Sequence, residues 1–225
     1  WDSQALLTAA RLKLFDALAD GARGADEVAA TLGLDARATS LLMRALAGLG
    51  LLRPEGDRFA NTPEAATFLV SRSPVYMGNV IRYSDQLYAT WGELEQSVRS
   101  GRPALAAQTY LGDDPARTRA FVVAMHERAQ GIARALVGVL DLAGRRSMLD
   151  VGGGPGTYSV LLTARFPGLR AEVVELPGVA AVARELVAEA GAADRVAVRD
   201  GDYRSADFGH AHGESHVLAY ALAFS

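Results

Sequence analysis

The sequence predicts an α/β protein in two parts: a mainly helical winged-helix domain over residues 1–105, and a partial doubly wound, Rossmann-like sheet over residues 106–225. Three observations carry this. Short helical stripes closed by glycines, followed by one hairpin, fill the first 70 residues. From Ser147 onward, strands alternate with helices of 9–12 residues, the pattern of a parallel sheet with crossover helices. A knot of glycines, Gly152-Gly-Gly-Pro-Gly156, joins the first of these strands to its helix.

The totals suit an ordinary globular protein of one or two domains. Half of the 225 residues are hydrophobic, 22% are charged and the net charge is -3. That balance gives no electrostatic reason to expect nucleic acid or an anionic membrane as partner. There is no cysteine, so disulfides and thiolate metal sites are excluded. No apolar run approaches the roughly 20 residues that a membrane-spanning helix needs. No signal peptide is legible, although the chain begins at Trp1, and a cytoplasmic protein is expected.

Residues 5–18 carry Leu6, Ala9, Leu12, Phe15 and Leu18 at steps of three, which predicts one helix ended by Asp20-Gly21. A second helix is expected over 26–32, closed by Gly33. Asp35 can cap a third, with Leu41, Leu42, Ala45, Leu46 and Leu49 as its apolar face and Gly50 as its stop. Residues 51–60 read as a hairpin with its turn at Pro54-Glu-Gly-Asp57. Thr62-Pro63 then opens another helix, with proline where its missing N–H costs nothing.

Three helices and a hairpin form a winged helix-turn-helix pattern, which raises DNA binding through residues 35–49. The charges argue against it. Residues 1–100 hold ten basic and twelve acidic side chains, a net of -2, and the recognition helix would offer only Arg37 and Arg44. A DNA reader needs a cationic face to neutralise phosphates. A dimerisation module fits better, with Leu6, Leu7 and Leu14 expected among its exposed apolar residues.

A helical bridge over 74–111, containing Tyr83, Leu87, Tyr88, Trp91 and Leu94, is broken by Gly101-Arg-Pro103. Asp114-Pro115 starts a long helix reaching about residue 140, with Phe121, Met125, Ala129, Ile132, Leu136 and Leu140 along one side. His126 lies at the edge of that stripe, where a lone histidine is usually neither catalytic nor a ligand. Strands are predicted at 148–151, 171–175, 196–199 and 216–221, with helices at 157–165 and 179–190.

A glycine loop after the first strand of such a sheet presents backbone N–H groups and a helix N-terminus to a ligand. A phosphate loop would end in Gly-Lys-Ser/Thr, and no lysine stands here, which disfavours nucleotide hydrolysis. A dinucleotide loop reads G-x-G-x-x-G/A; Gly152 and Gly154 fill its first two places, but Thr157 occupies the third. Glu175 ends the second strand 19 residues beyond Gly156, where a carboxylate accepts from ribose hydroxyls. The third strand runs into Asp200-Gly-Asp-Tyr203, whose acid can accept from an adenine amino group while the aromatic packs on the ring. Three strand ends thus describe an adenosine site without requiring a pyrophosphate.

Leu149-Asp-Val-Gly-Gly-Gly-Pro-Gly156 resembles the S-adenosylmethionine loop of class I methyltransferases, above all the O-methyltransferases of the caffeate and aromatic-polyketide line. The resemblance covers nearly the whole chain. Trp91-Gly-Glu-Leu, running on to Gly101-Arg-Pro103, is similar to the family's bridge, and Phe121-x-x-x-Met125 to the pair lining its acceptor pocket. Glu175-Leu-Pro177 resembles the ribose-binding acid-Leu-Pro, and Gly201-Asp-Tyr203 the segment that holds adenine. The resemblance implies transfer of the methyl group of S-adenosylmethionine to a hydroxyl, leaving S-adenosylhomocysteine, by in-line displacement with a general base. It implies cofactor contacts from Asp150, Gly152, Gly153, Gly154, Glu175, Leu176, Gly201, Asp202 and Tyr203, and substrate contacts from Trp91, Phe121 and Met125. It also implies a small aromatic acceptor such as a phenol, no nucleic acid, no membrane, and a homodimer built by the N-terminal domain.

The family's general base, typically a histidine, is expected beyond Ser225, on the segment after the fourth strand, so the sequence reads as a fragment of a longer enzyme. His210, His212 and His216 admit a metal reading, but without carboxylate support none is expected to bind metal or act as base. Alternatives stay open: a relative that decarboxylates, hydroxylates or catalyses a pericyclic step on the same fold, a ligand-sensing winged-helix regulator, and, more distantly, a dinucleotide oxidoreductase.

Overall fold

A computed structural model describes residues 1–205, 208 and 216–220. The chain divides into two compact units, Trp1–Gly92 and Glu93–Ser225.

The first unit runs α1 (Asp2–Arg11), α2 (Leu14–Ala17), β1 (Arg23–Gly24), α3 (Ala25–Leu32), α4 (Ala36–Gly48), β2 (Leu52–Glu55), β3 (Arg58–Asn61), α5 (Pro63–Phe68) and α6 (Gly78–Trp91). The strands form an antiparallel sheet in the order β1-β3-β2, adding a strand the sequence pattern did not predict. The predicted caps are in place: the Asp35 carboxylate accepts from the Ala38 N–H at 2.7 Å, and Thr62 from that of Ala65 at 3.3 Å. Gly33 closes α3 in the left-handed conformation.

Three expectations fail here, all for tertiary reasons. The single helix over 5–18 is broken at Lys13, whose φ of 56° and ψ of 35° are left-handed. The chain restarts in α2, which turns Leu14, Phe15 and Leu18 into the core beside Val28, Met43 and Leu46. Leu7 and Leu14 are therefore buried rather than exposed, and Leu6 packs against the same core. In α4 the buried residues are Thr39, Met43 and Leu46, at helical steps of four and three, while Leu41 and Leu49 face solvent. The predicted apolar face was rotated from the true one.

The second unit runs α7 (Leu94–Ser100), a π-helical turn (Thr109–Asp113), α8 (Pro115–Val139), β4 (Ser147–Val151), α9 (Thr157–Arg165), β5 (Arg170–Glu175), α10 (Pro177–Glu189), β6 (Val196–Asp200) and β7 (His216–Tyr220). All four strands pair in parallel, in the order β6-β5-β4-β7. The chain thus works outward from β4 to one edge and then crosses to the other side of β4. Ligands of such sheets bind beyond the carboxyl ends of the strands at that reversal. Met148, Leu162, Leu169, Val173, Val187 and Val196 form the main core, and Val122, Val179 and Val182 a second cluster under α8.

The sequence boundary at 105/106 differs from this division. α6 packs back on α1, where Arg11 pairs with Asp85, so it belongs to the first unit. The π-helical turn packs on α8 and α10, so the latter part of the bridge belongs to the second. The stripe expected along α8 holds only in its first half. Ile132, Leu136 and Leu140 are exposed, and the buried residues are Thr118, Val122, Ala124 and Ala133. Among the described residues no helix is long and apolar enough to cross a membrane.

Candidate functional site

Three strand ends converge at the carboxyl edge of the parallel sheet. The first is the loop from β4 to α9. Gly152, Gly154 and Gly156 have φ of 66°, 54° and 72°, a left-handed conformation that side chains resist. Gly153 is required for a different reason: a Cβ there would lie 2.6 Å from Cγ of Asp150. A Cβ on Gly154 would meet nothing within 4 Å, so this part of the loop faces open space. The Gly152 N–H donates to the Val174 carbonyl at 2.9 Å, which ties the loop to β5.

The second strand end is Glu175. Its Oε2 accepts from the Gly154 N–H at 3.0 Å and its Oε1 from the Leu176 N–H at 2.8 Å. An ionised carboxylate has about four acceptor positions, so each oxygen keeps a lone pair for a hydroxyl donor. Burial raises the pKa of this carboxyl above its ordinary value, while the two N–H bonds act in the opposite direction. The third strand end follows β6: the Gly201 N–H donates to the Glu175 carbonyl at 2.9 Å, bringing Asp202 and Tyr203 to the same edge.

Asp150 stands apart from these. Its side chain is only 2% exposed and lies under the loop, against Gly153, where it accepts from Ser159 Oγ at 2.7 Å. Burial pushes its pKa up to about 6, the Ser159 bond lowers it, and the neighbouring Glu175 raises it. Asp150 is therefore a support for the loop from below. Asp202 is paired with Arg204, whose Nε lies 3.0 Å from its Oδ1, and this hydrogen bond holds its pKa down at about 2. Tyr203 is half exposed beside it.

Phe121 and Met125 lie on α8, partly buried, with the Phe121 ring 5.3 Å from that of Tyr110. Trp91 ends α6 in the first unit and is 67% exposed, so it is not among the residues the second unit gathers. His210 and His212 lie outside the described residues, and His216 is described only as the first residue of β7. Sequence reasoning missed Ser159, Arg204 and Tyr110, and it passed over His126. Of these only Arg204 left a local signal, a cation two residues after Asp202.

Comparison with known proteins identifies the family. Residues 1–71 match the model of the O-methyltransferase dimerisation domain, and residues 91–215 that of the O-methyltransferase domain. The chain belongs to the O-methyltransferase family. Among its relatives, 3-hydroxy-5-methyl-1-naphthoate 3-O-methyltransferase of Streptomyces sahachiroi is 34% identical over 92% of the chain and 60% of its own length. The N,N-dimethyltransferase OxyT of Streptomyces rimosus is 32% identical over 89% of the chain and 61% of its own length. The solved structure of PigF with SAH, a protein of Serratia, superposes with a TM-score of 0.77 at 30% identity, covering 89% of the chain and 62% of PigF. The chain thus spans about three fifths of the length of these relatives.

Proposed function

We propose that this chain is the dimerisation and cofactor-binding portion of an S-adenosylmethionine-dependent O-methyltransferase that methylates a phenolic hydroxyl of a small aromatic secondary metabolite. The observation that carries the reading is the convergence of three adjacent strand ends: an open glycine loop, an acid with free acceptor positions, and an acid–aromatic pair. The residues fit the cofactor. Gly152, Gly153 and Gly154 leave backbone room for its methionine end, with Asp150 supporting the loop. Glu175 accepts from the ribose hydroxyls, with Leu176 beside it, and Gly201, Asp202 and Tyr203 flank the adenine. When bound, S-adenosylmethionine supplies an electrophilic methyl group on a sulfonium.

The protein's own work is alignment and exclusion of water. A rigid loop on one side and Phe121 and Met125 of α8 on the other hold the two reactants in line, lowering the entropic part of the barrier. His126 is unsuited to be the general base, because both its ring nitrogens already have hydrogen-bond partners. The first unit serves in a homodimer. Leu41, Leu49 and Phe68, with Trp1, Tyr88 and Trp91, are the large apolar side chains exposed on that unit and available for such a contact. OxyT, a relative that acts as an N,N-dimethyltransferase, favours a second reading in which the acceptor atom is nitrogen.

Calorimetric titration with S-adenosylhomocysteine tests the cofactor reading. The chain is expected to bind it, and Glu175→Ala to weaken binding by about tenfold or more, through loss of charge-assisted hydrogen bonds. Unchanged affinity in that variant removes the ribose assignment. Failure of the unaltered chain to bind removes the reading as a whole.

A further inference from the structure

His126 occupies an unusual place for a histidine outside the cofactor site. Its Nδ1 lies 2.8 Å from Thr157 Oγ1, and its Nε2 lies 2.8 Å from Gln130 Nε2 on the next turn of α8. The Gln130 amide N–H points at Nε2, so Nε2 is the acceptor and the ring proton sits on Nδ1, donated to Thr157. Only the neutral ring makes both bonds. Burial lowers its pKa, Glu189 of α10 acts against that, and Arg134 further along α8 acts with it. The ring lines a cavity of about 330 Å³ between α8, α9 and α10.

The partner matters more than the ring. Thr157 stands where a dinucleotide loop has its third glycine, is buried, and is the first residue of α9 directly behind Gly156. It joins the glycine loop directly to the N-terminus of α9. α8, on which His126 lies, also carries Phe121 and Met125, at five and one positions before it. One rigid helix therefore bears both the proposed acceptor wall and the tie to the proposed cofactor loop. An error of about 1 Å between reacting groups costs on the order of a hundredfold in rate, so a fixed spacing between these two elements has a chemical purpose.

We infer that His126 is a positioning residue: by holding Thr157 it sets the register of α8 against the glycine loop, and so aligns acceptor and cofactor. This rests on the cofactor reading above. The test compares S-adenosylhomocysteine affinity in the unaltered chain, His126→Phe, Thr157→Val, the double variant and His126→Asn, with thermal unfolding of each. His126→Phe keeps the bulk and removes both ring nitrogens, and is expected to weaken binding by about fivefold to tenfold. Thr157→Val should do the same, and the double variant no worse than either single one. His126→Asn places a side-chain N–H near the former Nδ1 and should restore affinity to within about twofold.

Equal affinity in His126→Phe and the unaltered chain overturns the inference while leaving the cofactor reading intact. A weakened His126→Phe that His126→Asn does not rescue, or additive losses in the double variant, also overturns it, since the histidine then acts only through packing. If the unaltered chain does not bind, the cofactor reading fails and this inference falls with it.

Discussion

The two units solve the same problem of burial with different materials. Among the described residues, the first unit buries one polar side chain, Thr39, whose hydroxyl donates back to Asp35 four residues earlier. The second buries Thr118, Asp150, Thr157, Ser159 and Thr163, and four of the five lie between the end of β4 and α9. The raised carboxyls of Asp150 and Glu175 and the lowered imidazole of His126 lie in the second unit. Burying a polar group is costly unless it is hydrogen-bonded. The first unit is thus built for packing, whereas the second accepts local cost to hold a loop in a shape that glycine adopts most readily.

Three substitutions sharpen or break that contrast. Met43 is fully buried in the first unit, so Met43→Ala should cost about 4 kcal/mol of stability by opening a cavity, read by urea unfolding. Affinity for S-adenosylhomocysteine per folded chain should stay within about twofold; a tenfold loss would mean the first unit is more than a packing module. Gly153→Ala should cost about 3 kcal/mol through overpacking against Asp150, and here affinity should collapse along with stability. Normal binding by that variant would show that the loop tolerates a side chain against Asp150 and needs no support from it.

The smallest effect concerns pH. The carboxyl of Asp150 is raised from 3.8 to about 6 on folding, so the native state holds more protons than the unfolded chain between those values. Its contribution to stability is therefore greatest at low pH, declines as pH rises from about 4 to about 6, and is flat above. Asp150→Asn removes this slope, and its stability relative to the unaltered chain should rise by on the order of 2 kcal/mol between pH 4 and pH 7. Parallel profiles for the two proteins would show that the carboxyl is not displaced.

Much of the second unit is legible in the sequence alone. The helix over 157–165 was placed to the residue, and each strand to within about one residue of its observed bounds. Parallel strands buried on both faces give continuous apolar runs, and glycine and proline punctuate them sharply. The loop and Glu175 were readable because their chemistry is local: a left-handed turn needs glycine, and a strand end needs only its own acid. Thr157 was visible as a departure from the dinucleotide pattern, but nothing near it in sequence points to His126, 31 residues away. Asp150 read as part of the cofactor motif, and only burial revealed that it works from beneath.

By itself the sequence determined the alternation of elements, their caps and stops, the glycine loop and the acids at the strand ends. Each of these depends on interactions within a few residues of the chain. The tertiary structure decided the break at Lys13, which face of α4 and α8 is buried, and the strand order β6-β5-β4-β7. It also decided the ties of His126 to Thr157 and of Ser159 to Asp150. A helical period states that one face is apolar, but only the neighbour packed against it selects which residues are covered. A side chain's partner likewise exists only once distant segments have met.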